Sequence, residues 1–221
     1  MKKYLLIGAG PGNGFATASR FAKAGFHIVL ASRSGRKIAS QVAELRQSGA
    51  TVDIETLDAT DAKSVVSIVE RHGSDLAVMH FNVGILHYDA NGALQTRSLD
   101  DETVESLADE MQADVVSALA AVKTAAALMT PRNSGTILIT GGGFGVEPTP
   151  AFLTISVAKA GVRAATKALF DPLKKKGIHI ATVTVATLVE PGSEKAAEVA
   201  NAFWDLHAQE QDQWEWEKVI K

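Results

Sequence analysis

The stretch YLLIGAGPGNGF, Tyr4–Phe15, decides how the rest of the chain is read. Tyr4 to Ile7 form an apolar run of strand length, and the glycine cluster Gly8–Gly14 follows without a spacer. From about Asn13 to Ala24 the apolar positions fall at helical spacing, so the segment reads as strand, tight loop, helix. Glycines in such a loop let backbone N–H groups approach a pyrophosphate, whose charge the helix N-terminus then favours. The motif reads as a dinucleotide loop inside a βαβ unit, against the alternative of a purely structural turn. No Lys-Ser or Lys-Thr follows the last glycine, so it is not a nucleoside triphosphate loop.

Further along, short apolar runs keep alternating with longer helical patterns. Strands are expected at His27–Ala31, Val52–Leu57, Leu76–Phe81, Thr136–Thr140 and Ile178–Val185, and helices at Arg36–Gln47, Ala62–Arg71 and Ser156–Lys175. A long helical region is expected over Leu99–Met129, and Gly177 sits where a helix C-cap belongs. A helical tail begins near residue 193 and covers Glu194–Gln209; the last few residues fit neither pattern. This order predicts a single α/β domain over residues 1–221: a doubly wound, mostly parallel sheet of Rossmann type in three layers.

Composition narrows the function. With 221 residues, 46% of them hydrophobic, one full core can be buried. A net charge of −3 provides no broad positive field, so neither nucleic acid nor a membrane surface is expected as a partner. There is no cysteine, which excludes disulfides, thiolate catalysis and cysteine-ligated metals. The apolar run after Met1-Lys2-Lys3 stops at the glycines, short of the roughly 7 to 15 residues of an export signal. No other segment reads as reaching the about 18 apolar residues that span a bilayer, and a cytoplasmic location follows as the expectation. The run Lys174–Lys176 is read as cations offsetting a helix C-terminal dipole. No GxSxG elbow or HExxH spacing occurs, and no metal site is expected.

The glycine spacing, Gly8, Gly12 and Gly14, resembles that of the short-chain dehydrogenase/reductase family. Other residues share the likeness, from about residue 3 to 190. Asp58, followed by Ala59, matches the family's adenine-contacting aspartate; Asn82-Val83-Gly84 resembles its Asn-Ala-Gly motif; Lys159 falls where its ribose-binding lysine belongs. The resemblance implies a nicotinamide dinucleotide held by Gly8, Gly12, Asn13, Gly14, Phe15, Asp58, Ala59, Asn82, Val83, Gly84 and Lys159, with Thr187 and Val189 near the carboxamide. At the end of the second strand Ser32, Arg33 and Ser34 replace the acid that NAD sites use, and a guanidinium with two hydroxyls suits the 2′-phosphate of NADP. NADP is therefore expected over NAD, unless Arg33 is an ordinary solvated cation. The alanine-rich helices Ala118–Ala127 and Ala158–Ala168 are of the kind the family pairs across a two-fold axis, which implies a homodimer or homotetramer acting on a small molecule.

The chain departs from the family where the chemistry is done. Four residues before the lysine the family has a tyrosine that exchanges a proton with the substrate oxygen; here Ile155 occupies the position. The family's serine would fall at Gly142 or Gly143, and its helix asparagine near Asp114. A positioned acid commonly contributes a rate factor of roughly 10² to 10⁴. At about 1.4 kcal/mol per decade that is of the order of 3 to 5 kcal/mol. Lys159 alone survives as a catalytic residue. The substitutes are few, and each has a plainer role: His87 and Tyr88 as solvated loop residues, Thr140 as a strand former, Ser156 as a helix cap, Asp114 as a water ligand or a solvent-facing acid. The tail Phe203–Gln209 is either a lid beside the pocket or an aromatic anchor on the core.

Overall fold

Most of the apolar runs become parallel strands buried on both faces, as their unbroken hydrophobicity requires, whereas the run from Val52 forms an edge strand with only Val52 buried. A computed structural model describes residues 1–221. The first half alternates β1 (Lys3–Ile7), α1 (Asn13–Lys23), β2 (His27–Ser32), α2 (Ala39–Gln47), β3 (Val52–Thr56), α3 (Ala62–His72) and β4 (Leu76–Phe81). The second half adds α4 (Val104–Met111), α5 (Ser117–Met129), β5 (Gly135–Gly142), α6 (Leu153–Lys174), β6 (Ile178–Val185), α7 (Glu194–Ala208) and β7 (Glu217–Ile220). Seven strands form one parallel sheet in the order β3-β2-β1-β4-β5-β6-β7. Alternate residues of the five inner strands feed two cores. Leu5 and Ile7 of β1 join Val65, Ala121 and Val162 under α3, α5 and α6, whereas Tyr4 and Leu6 join Phe21, Leu45 and Phe203 under α1, α2 and α7.

Several expectations are corrected. The region Leu99–Met129 is not one helix: Ser98 and Asp101 cap a short 3-10 turn, Thr103 caps α4, and a π-helical turn at Gln112–Val116 separates α4 from α5. Ser156 does not cap α6, which already starts at Leu153; its hydroxyl donates back to Phe152 O at 2.7 Å. The α6 cap is Lys175, and Gly177 follows at φ +67° to turn the chain into β6. The ambiguous C-terminal residues form β7, which lies along the outer edge of β6.

The continuous helical run Val104–Arg132 is long and apolar enough, by length and hydropathy, to cross a membrane, contrary to the expectation that no segment would be. Its inner face is Ala118, Ala121, Ala125 and Met129, all packed into the core, and it carries buried Glu110 and Asp114.

Candidate active site

Strand order turns back between β1 and β4, and an open parallel sheet binds ligands in the crevice at such a point. Two loops meet there. Gly8 leaves β1 at φ +87°, a conformation that L side chains rarely adopt, and the N–H groups of Gly8 and Ala9 both donate to Ala31 O. A Cβ at Gly14 would come within 2.9 Å of Asn82 Nδ2, so the Asn82 loop can lie against α1 only because that residue is glycine. Space over Gly10 and Gly12 is open: a Cβ at Gly10 would meet nothing within 4 Å, and one at Gly12 only Val189 O at 4.0 Å. At this opening α1 begins without a side-chain cap, and Asn13 Oδ1 is buried without a partner. Uncapped N–H groups beside an open glycine surface fit a diphosphate. Phe15 and Val189 flank the cradle, half-buried against the α1 core, while Thr187 is exposed.

At the far end of the crevice, the adjacency of β2 and β3 brings Ser32, Arg33 and Ser34 beside Asp58 and Ala59. Asp58 accepts the Thr60 backbone N–H at 3.0 Å and hydroxyl at 2.9 Å. These bonds hold its carboxyl below the usual range, and the Arg33 charge lowers it further. Arg33 itself is exposed and makes no hydrogen bond or ion pair, leaving its guanidinium free for an anion. Ser117, which the sequence reading passed over, donates to Ala59 O at 2.6 Å and anchors this corner to α5.

Lys159 is buried at the other end. Its Nζ donates to Val83 O at 2.8 Å and Thr140 O at 3.0 Å, so two of its three protons are spent on the carbonyls at the ends of β4 and β5. Burial lowers its pKa, and the nearby Asp114 partly restores it. Asp114 sits in the π turn, 3% exposed. Its Oδ2 accepts the Ile85 N–H at 3.0 Å, whereas Oδ1 is buried without a partner. Burial raises this carboxyl, opposed by the charge of Lys159.

Ile155 is 6% exposed and supplies no polar atom. Both glycines expected in place of the serine are tightly packed. A Cβ at Gly142 would press on Lys159 Cγ at 3.2 Å, and one at Gly143 would lie 2.8 Å from Ala186 Cα. The Thr140 hydroxyl is occupied, between Asn82 Oδ1 and His80 Nε2.

On the loop after Gly84, Tyr88 is 58% exposed, but His87 is tied down. Its Nε2 lies 2.8 Å from Glu110 Oε1 and 3.0 Å from Arg97 Nη1. Arg97 also meets Glu102 at 3.1 Å, and Glu102 in turn reaches Thr154, the neighbour of Ile155, at 3.5 Å. His87, Glu102 and Glu110 place donor atoms within 4.8 Å of one another, a spacing that would suit a metal ion. The Arg97 guanidinium is already the cation of this cluster, lying within 3.5 Å of a donor atom of each. No local pattern in the sequence announces it, since its members lie on a loop and a helix up to 23 residues apart.

The tail is an anchor and not a lid. Phe203 is fully buried, its ring 4.3 Å from that of His80, and Trp204 stacks under Arg20 at 4.0 Å.

The family model for short chain dehydrogenases matches residues 2–199. The chain is 29% identical over 198 residues to a very-long-chain 3-oxoacyl-CoA reductase of Neurospora crassa, covering 86% of this chain and 57% of that one, so it spans little more than half of the relative's length. Among solved structures, a short-chain dehydrogenase from Rhodopseudomonas palustris superposes with a TM-score of 0.87 at 26% identity, over 100% of this chain and 98% of the other. A short-chain dehydrogenase from Sphingobium yanoikuyae in complex with NADPH shares the fold, with a TM-score of 0.81 at 20% identity over 98% and 87% of the two chains.

Proposed function

The chain belongs to the short-chain dehydrogenase family, and from that premise we propose that it is an NADP(H)-binding oxidoreductase with a non-standard active site. Its reaction is hydride transfer to or from a small carbonyl, alcohol or enone. The observation that carries the reading is the cradle: open space over Gly10 and Gly12, an uncapped helix start, and a free Arg33 at the far end beside Asp58. The solved NADPH complex of the Sphingobium protein, similar in fold, supports the choice of nucleotide.

Bound there, the dinucleotide would supply the hydride. The chain's own residues supply the rest. Gly12, Asn13 and Gly14 offer backbone donors to the diphosphate, Arg33 with Ser32 and Ser34 takes the 2′-phosphate, and the remaining proton of Lys159 Nζ is the one available to a ribose hydroxyl. Ile155 moves no proton, so the acid is another group. His87, oriented by Glu110 three residues beyond Gly84, is the chain's best-held candidate.

A second reading has its own observation. Ile155 and Gly142 supply neither of the two polar groups the family uses on substrate, which fits a catalytically silent NADP(H)-binding protein, a sensor or the inactive partner of another subunit. A single-turnover assay separates the two. Purified protein is mixed with NADPH and a panel of aldehydes, ketones and enones; consumption above a protein-free control, lost in Lys159→Ala, selects the enzyme, and a flat trace with saturable NADPH binding selects the silent protein.

A further inference from the structure

A line of buried polar side chains crosses the middle of the sheet and ends on the glycine loop. Tyr4 OH lies 2.6 Å from His80 Nδ1, and His80 Nε2 lies 2.8 Å from Thr140 Oγ1. Thr140 Oγ1 donates to Asn82 Oδ1 at 2.7 Å, and Asn82 Nδ2 donates to Gly8 O at 2.9 Å. Tyr4 and His80 are fully buried, and Thr140 is 8% exposed. Polar residues buried this deeply in a largely apolar sheet cost stability unless every member is satisfied.

The direction of each bond follows from the Gly8 end. A carbonyl oxygen only accepts, so the Asn82 amide turns its NH₂ to Gly8 and its Oδ1 to Thr140. Thr140 spends its single proton on that oxygen and must accept from His80. His80 is therefore protonated on Nε2, with a bare Nδ1 that accepts the Tyr4 proton. Burial, with the charge of Lys159, pushes the His80 pKa down to about 3, which keeps the ring neutral. All four bonds run one way, from Tyr4 to Gly8.

The line is not a proton path, because its far end is sealed: Tyr4 is fully buried and stacks on Phe21 at 4.3 Å. It is a strut. The Gly8–Ala9 peptide it reaches is held from the other side by its N–H, that of Ala9, on Ala31 O at 2.9 Å. Thr140 serves twice, since its backbone carbonyl also takes Lys159 Nζ at 3.0 Å.

We propose that His80 and Thr140 are positioning residues for dinucleotide binding: the Nε2-protonated imidazole holds the Thr140 hydroxyl on Asn82, and thereby fixes the Gly8 carbonyl and the start of the diphosphate loop. This rests on the nucleotide reading given above. The test compares Thr140→Val, which removes the one donor to Asn82 at nearly constant volume, with Thr140→Ser, which keeps it. In the ligand-free protein Thr140→Val is expected to speed amide exchange over residues 8–15 by about tenfold, and with NADP to raise the dissociation constant by about tenfold, the loss of one buried hydrogen bond. Thr140→Ser should return both to within about twofold of wild type. Nitrogen-15 spectra of the wild type should show His80 protonated on Nε2 only. The proposal is overturned if Thr140→Val merely lowers the melting temperature while loop exchange and NADP affinity stay unchanged, or if His80 carries its proton on Nδ1. Should that variant not fold, Tyr4→Phe removes only the terminal donor and is expected to speed loop exchange by about threefold; no change there would overturn the proposal equally. If the wild type takes up no nucleotide, the function proposed above fails, while exchange and spectra still decide this one.

Discussion

Ile155 and Lys159 meet over Gly84: a Cβ at that glycine would lie 3.7 Å from Ile155 Cδ1 and 3.1 Å from Lys159 Nζ. The lysine amine thus lies at the crevice, and the side chain one turn before it sets a methyl group beside it. Under the function proposed above, binding and proton transfer no longer share that helix face. The cradle for the nucleotide keeps its shape because Asn82, Thr140 and Lys159 are bonded to backbone atoms and to one another, and none of those bonds needs a tyrosine.

Restoring the phenol should therefore restore rate. Ile155→Tyr is expected to raise NADPH-dependent turnover of simple ketones by roughly 10² or more, the low end of what a positioned acid contributes. Adding Gly142→Ser should help little, because the new Cβ would crowd Lys159 Cγ at 3.2 Å. Stopped-flow absorbance of the reduced ring measures both, and an Ile155→Tyr protein that binds NADPH yet stays at the wild-type rate contradicts the expectation.

The choice of nucleotide turns on one cation. Arg33 has no partner within the chain, so its removal breaks nothing else. Arg33→Ala should weaken NADP by about 10-fold to 100-fold, the equivalent of about 1.5 to 3 kcal/mol for a hydrogen bond to a charged group, and leave NAD within about twofold. Calorimetric titration of both nucleotides gives the answer. Equal losses for the two would mean that Arg33 acts elsewhere on the ligand.

If the chain turns over, the acid is a group other than residue 155, and two variants sort the candidates. His87→Ala should lower the rate by roughly 10² and leave NADPH affinity unchanged, as removal of a proton donor does. Asp114→Asn keeps the acceptor that holds Ile85 N–H but removes the anion beside buried Lys159, so it should act on nucleotide affinity without abolishing turnover. The opposite pattern in steady-state kinetics would move the acid to α5's entrance at the π turn.

The sheet was legible because strands buried on both faces announce themselves as short apolar runs, and the glycine loop because its backbone conformation demands glycine. β7 was not. Its sequence, Glu-Lys-Val-Ile, has no such run, and it becomes a strand only because β6 has a free edge to pair with, starting from Thr182 N on Trp216 O. The π turn left no trace in composition either, and without it the placing of Asp114 inside the molecule could not be read. His80 looked like one residue of a strand. Its role exists only between residues 76 and 60 positions away in the chain, a relation no local pattern encodes.

Acid should unfold the protein early. Burial pushes His80 down to about 3 and His207 down to about 4, and it lowers His179 as well. Below about 6.5, the ordinary histidine value, the unfolded chain takes up protons that the native rings refuse. Stability therefore falls as pH drops, by about 1.4 kcal/mol per pH unit for each such group, until the native value is reached. Asp114, raised by burial, works in the opposite sense but is a single group. Urea midpoints between pH 6.5 and 4.5 should fall steeply, and His207→Gln should flatten the slope by roughly one group's share. A midpoint independent of pH across that window would contradict the burial of these rings.

The tail gives a last test, because the two roles considered for it predict opposite results. A lid can lose an aromatic ring without loss of stability; a core anchor cannot. Phe203 packs against His80 and sits in the same cluster as Tyr4, Leu6 and Val183. Phe203→Ala should cost about 3 to 5 kcal/mol in urea unfolding, the usual loss for a buried phenylalanine. It should also loosen His80, whose ring loses one wall, and so weaken NADP in parallel. A lid would behave the other way, with stability kept and substrate release made faster. Trp204→Ala separates the contributions further, since its ring holds Arg20 and Phe21 on α1 and makes no contact with His80, so it should lower stability and leave nucleotide affinity alone.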